Sequence, residues 1–109
     1  MSVTFEPSSQ SYYKVPNEFF EADAPEDAYM NPRLIPEPIY PRANFSNMNT
    51  ALMLKGVLEE DDFYVGSKTP EELPEFIQKL SNSMDPQRAG HVIRIAQICI
   101  ANNWNLNWG

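Results

Sequence analysis

The chain has 109 residues, of which 42 per cent are apolar or aromatic, with 15 acidic against 8 basic side chains and a formal charge of -7. That length suits one domain, and the apolar share excludes wholesale disorder. The negative balance disfavours direct nucleic-acid binding, which rests on Lys and Arg displacing counterions. It also disfavours anionic membrane surfaces, and it favours a partner protein with a basic surface.

Residues 1–6 hold neither a basic stretch nor an apolar run, so no signal peptide is expected. The single cysteine, Cys99, cannot form an internal disulfide. The longest apolar stretch, around 92–101, is interrupted by Arg94 and Gln97 and is too short to span a bilayer. Together these features lead to the expectation of a cytoplasmic protein.

Seven of the ten prolines lie within residues 1–44. Each removes a backbone donor and discourages helix in the residue before it, so this stretch reads as an extended arm. The arm carries Phe5, Tyr12, Tyr13, Phe19, Phe20, Ile35 and Tyr40, which gain stability only by leaving water. It is therefore expected to pack on the body or on a partner. The one helical signal within it is 17–24, with Asn17 as a cap.

Helical signals dominate after residue 44. Ser46 and Asn47 are good caps for a helix over 47–57, with Gly56 at its fraying end. The acidic run of Glu59, Glu60, Asp61 and Asp62 reads as a loop. Thr69, Pro70, Glu71 and Glu72 combine a cap, a first-turn proline and a capping-box glutamate for a helix over 70–81. Asp85 and Pro86 open a third helix over 86–102, apolar on more than one side, with Asn102 and Asn103 as stops. The tail alternates Trp104, Asn105, Leu106, Asn107, Trp108 with period two, which suits a short strand pairing with residues 3–5 or with part of 34–40.

The expected fold is thus mainly α: a small three-helix domain over 45–109, an extended proline-rich N-terminal arm over 1–44, and room for a short β-strand pair. Leu52, Leu73, Phe76, Ile77, Leu80, Val92, Ile93, Ala96 and Ile100 are the expected core.

Catalytic signals are sparse. His91 and Cys99 stand eight residues apart on one helix, roughly 12 Å along its axis at about 1.5 Å per residue. A nucleophile and its base need hydrogen-bond reach, so the pair reads as a buried thiol and a histidine near a helix start. Zinc sites want several Cys or His ligands, and the acidic run lacks the alternating spacing of a calcium loop. No catalytic residue, metal or cofactor is expected. Trp104 and Trp108 read as core or interface anchors, and the asparagines as caps and turns.

Ser46, Asn47, Met48, Asn49, Thr50 and Ala51, followed by Leu54, Gly56, Gly66 and Glu71-Glu72-Leu73, carry a likeness. Residues 43–80 resemble a loose group of small bacterial and phage proteins with an S-N-x-N-A helix start. Here Thr50 intervenes before Ala51, and Lys55 precedes the glycine. The resemblance implies helix placement and a bacterial or phage origin, and no activity.

Three functions are weighed. The first is a non-enzymatic acidic protein-binding protein, in one version an inhibitor that covers a basic nucleic-acid-binding surface of another protein. Glu59, Glu60, Asp61 and Asp62, with Glu71, Glu72 and Glu75, would supply its charged face. The second is a structural accessory of a larger assembly, with Tyr12, Tyr13, Phe19 and Phe20 as anchors. The third is a small carboxylate-based enzyme, which needs two convergent acids of split pKa in a pocket.

Overall fold

Ser2–Pro7 alternates, Val3, Phe5 and Pro7 pointing one way and Ser2, Thr4 and Glu6 the other. That period of two is a strand with one buried face, and it forms β1. The computed structural model describes residues 1–8 and 42–109. Within them the order is β1, β2 (Ala43–Ser46), α1 (Asn47–Leu54), a 3-10 turn (Glu60–Asp62), β3 (Gly66–Lys68), α2 (Leu73–Leu80), α3 (Pro86–Asn102) and β4 (Leu106–Trp108).

The four strands make one antiparallel sheet in the order β2-β1-β4-β3. β1 is central: Phe5 faces Ala43 on one side and Trp108 on the other, and Trp108 faces Gly66 on β3. Beyond β4, Thr4 and Gly109 exchange backbone hydrogen bonds at 2.9 and 3.2 Å. The inward side chains Val3, Phe5, Phe45, Leu106 and Trp108 join Met53, Leu54, Leu73, Phe76, Leu80, Val92, Ile95 and Cys99 in one core. The outward face is polar. Asn44 donates to the hydroxyls of Ser2 and Thr4 at 3.0 and 2.8 Å, and Ser67 donates to Asn107 at 2.7 Å. Helices over one face of an antiparallel sheet make a two-layer α+β fold.

The expected mainly α fold with an extended proline-rich arm is therefore corrected. The start of that arm is the central strand of the sheet, and Ala43 and Asn44 belong to a second strand. The tail strand does pair with residues 5–7, but it is one of four. The expected helix over 17–24 and the strand option within 34–40 lie outside the described residues.

Ser46 and Asp85 start α1 and α3 as expected. The Ser46 hydroxyl accepts the Asn49 N–H at 3.2 Å to start α1. This helix ends at Leu54, short of 57, because Lys55 is extended and Gly56 has a φ of 81°. The Glu72 carboxylate accepts the Thr69 N–H at 3.0 Å and its hydroxyl at 3.1 Å, which is half of the expected box; the Thr69 side chain caps no backbone N–H, residues 70–72 form a turn, and α2 begins at Leu73 rather than at 70. The backbone N–H of Thr69, and after it the hydroxyl, favour the ionised form and hold this exposed carboxyl below its ordinary pKa. A depressed folded pKa adds stability above the unfolded value, and that stability is lost as pH falls through the folded value. A Thr69→Ala variant, which loses the hydroxyl and keeps the backbone N–H, is expected to raise Glu72's titration only part of the way toward the usual glutamate range, as followed by carboxyl-carbon NMR.

Asp85 caps α3, accepting the Arg88 N–H at 3.4 Å and pairing with the Arg88 guanidinium at 2.9 Å. Just before it, the Ser83 hydroxyl donates to the Met53 carbonyl at 2.6 Å and ties α1 to the start of α3. Asn103, at a φ of 58°, closes the far end of α3 in the left-handed conformation that Asn tolerates. No helix among the described residues is long and apolar enough to cross a membrane.

The core differs from expectation at two positions. Leu52 is 44% exposed and Ile100 is 38% exposed. Their neighbours, Met53 with Leu54 and Cys99, are buried instead. Both helices carry apolar residues on more than one side, so composition alone does not say which side meets the sheet.

Candidate functional site

Trp108 connects the sheet to the acidic run. Its ring stacks on Phe76 of α2, with centroids 5.5 Å apart and planes 4° from parallel, and on Phe5 of β1 at 5.6 Å and 22°. Its indole N–H donates to the Asp62 carbonyl at 3.0 Å. The backbone of the turn is thus fastened to the core, while the side chains of Glu59, Glu60, Asp61 and Asp62 stay exposed. The space for the indole exists because residue 66 is glycine. A Cβ there would overlap the six-membered part of the ring. Gly66→Ala is expected to cost about 1–3 kcal/mol through overpacking, read as a lower midpoint in urea unfolding.

Three depressions meet at this place, and Leu58 lines all of them. The largest, about 480 Å³, lies between α1 and the acidic turn, bounded by Ala51, Leu52, Lys55, Leu58, Glu60 and Phe63. A second, about 120 Å³, runs beside β3 past Asp62, Ser67 and Lys68. The third, about 70 Å³, reaches α2 at Glu72, Glu75, Phe76 and Lys79. The shared residue makes them one continuous face. Glu60, Asp62, Glu72 and Glu75 line it together with Lys55, Lys68 and Lys79, and Glu59, Asp61 and Glu71 are their exposed chain neighbours. The remaining charged side chains of the described residues are Glu6 and Asp85 against Arg42, Arg88 and Arg94. Seven of the nine carboxylates of the described residues thus line these depressions or neighbour in the chain a residue that does.

Of the residues singled out from sequence, Glu60 and Asp62 line this face, and Glu59 and Asp61 are exposed beside them in the chain. Tyr12, Tyr13, Phe19 and Phe20 lie outside the described residues. Sequence reading missed Leu58 and Leu52. The latter was assigned to the core, whereas an isolated Met48–Leu52 spacing of i, i+4 on a short helix was the available signal.

The largest depression is in the size range of a ligand pocket; among the described residues its ionisable walls are Lys55 and Glu60, while Glu72 and Glu75 line the smallest. Cys99 is buried in α3, and burial pushes its thiol up to about 12. Cys99 is thus expected to react with an alkylating reagent slowly in the native protein and rapidly in denaturant, as measured by mass spectrometry over time. His91 is buried near the start of the same helix, eight residues before it. Among the described residues, no group of three His, Cys, Asp or Glu side chains is placed to hold a metal ion. No family model, curated protein or solved structure matches the chain.

Proposed function

We propose that this is a non-enzymatic binding protein, acting in the cytoplasm, whose Leu58 face engages a protein with a basic surface. The observation that supports the reading is that Glu60, Asp62, Glu72 and Glu75 line shallow, partly apolar depressions, with the exposed Glu59, Asp61 and Glu71 beside them in the chain. Opposed charges on such faces speed encounter and fix orientation. Where the partner's basic surface also binds nucleic acid, occupation by this face inhibits it. A single free cysteine, buried in the core, is in keeping with a reducing compartment.

The test is capture from a native-host extract by the immobilised full chain, at low and high salt. A second column carries Glu59→Gln, Glu60→Gln, Asp61→Asn and Asp62→Asn together. Proteins held by the first column, released by salt and absent from the second are expected. Identical retention on both columns at either salt concentration would contradict the reading, because exposed charge contacts are screened.

A second reading, a structural accessory of a larger assembly, draws on exposed apolar side chains. Met48 is 80% and Val65 71% exposed, and Tyr64 and Leu52 are also open. A contact made by these groups holds at high salt, which separates the two readings in the same experiment.

A further inference from the structure

We infer that the depression between α1 and the acidic turn is the centre of a two-fold interface with a second copy of this chain. The inference goes beyond the binding-protein reading above and is independent of it: a monomeric chain leaves that reading standing. Where a basic partner takes the same face, it does so by displacing the second copy.

The depression has two sides. On the α1 side Leu52 and Lys55 line it, and Met48 stands one turn before Leu52 on the same side of the helix. On the turn side Glu60 and Phe63 line it, and Tyr64 and Val65 follow Phe63 in the chain. Each side thus brings two open apolar side chains. Met48 is 80% and Leu52 44% exposed, against 42% for Tyr64 and 71% for Val65. Large apolar groups collected around one depression mark a contact surface.

The charges choose the occupant. The lining carries one base and one acid, Lys55 and Glu60, and both are exposed. Neither belongs to an ion pair among the described residues, where Arg42 joins Glu6, Lys79 joins Glu75 and Arg88 joins Asp85. Opposite charges on the two sides of one face are what a self-complementary contact requires. A two-fold axis running between the sides sets Lys55 of each copy over Glu60 of the other. The same rotation lays the Met48–Leu52 side of one copy on the Tyr64–Val65 side of the other, so apolar groups meet apolar groups. The formal charge of -7 on each copy opposes association at low salt. At physiological ionic strength a Debye length of about 8 Å screens the long-range part of that repulsion.

Sedimentation velocity of the full chain at physiological salt, over a series of rising concentrations, tests this. The weight-average mass is expected to rise from that of one chain toward twice that value. Lys55→Glu and Glu60→Lys are each expected to weaken the dimer about tenfold, because each reversal puts like charges together at two places. Glu60→Lys makes the chain less negative, so a weaker dimer there is not an effect of net charge. Lys55→Glu combined with Glu60→Lys keeps the net charge and exchanges the two signs. This double variant is expected to restore the dimer to within about twofold. Leu52→Gln is expected to weaken it about tenfold, the scale of burying part of a leucine. All four variants change exposed positions, and their circular dichroism spectra are expected to match that of the unaltered chain. A chain that stays monomeric throughout the series overturns the inference. So does a dimer indifferent to both reversals, or one whose double variant is as weak as either single one, because the contact then lies elsewhere or lacks the two-fold arrangement.

Discussion

A chain lacking residues 1–8 is expected to be unfolded at room temperature, although it retains all three helices described here. β1 is the middle of the sheet, bonded to β2 on one side and β4 on the other. Its removal exposes the backbone edges of both neighbours and takes Val3, Phe5 and Pro7 out of the core. Burying a large apolar side chain is worth about 1.5–3 kcal/mol, and the cavity left behind adds to the loss. Against a total native stability of roughly 5–15 kcal/mol, losing two or three such residues together with the central ladder leaves nothing to fold. Far-ultraviolet circular dichroism and thermal melting check this. A cooperative transition within a few degrees of the full chain's would show that β1 is dispensable.

Trp108→Ala is expected to cost more than any other single substitution proposed above. The side chain is 4% exposed and makes two stacked ring contacts and one hydrogen bond. Truncating a buried Trp to Ala costs about 3–5 kcal/mol. At about 4–8 °C per kcal/mol for a domain of this size, the midpoint should fall by on the order of 15 °C or more. Trp108→Phe separates the roles, keeping a ring over Phe5 and Phe76 and losing the N–H to Asp62. Since the Asp62 carbonyl then turns to water, this variant should lose only about 1 kcal/mol. It should also speed amide exchange in the acidic turn selectively. The pair with Gly66 is coupled: Gly66→Ala should cost less in the Trp108→Ala background, since the ring it overlaps is gone.

The helices were legible because their starts are written locally. Ser46, the Thr69–Glu72 box and Asp85 each satisfy backbone donors within three residues. The sheet was not, because its pairings join residues far apart in sequence, Phe5 with Trp108 and Val3 with Phe45. β3 is Gly-Ser-Lys, with no apolar side chain to announce a strand. Its glycine is explained only by the indole that lies over it. The alternation in the tail and in residues 3–5 was visible, and those two segments do meet. The acidic run was visible as a run, whereas its setting was not. That Leu58 joins three depressions, and that Leu52 faces out beside the carboxylates, follows from the side of α1 that Met53 and Leu54 commit to the core. Nothing in an eight-residue helix with apolar residues at 48, 51, 52, 53 and 54 decides that side in advance.

Amide hydrogen exchange of the full chain, free and bound to the salt-sensitive partner from the host extract, bears most directly on the functional claim. Slowed exchange is expected in residues 51–63, along α1 and the acidic turn, with the sheet's polar outer face unchanged. Protection confined to that outer face, at Ser2, Thr4, Asn44 and Asn107, would put the partner on the other side of the molecule and contradict the claim.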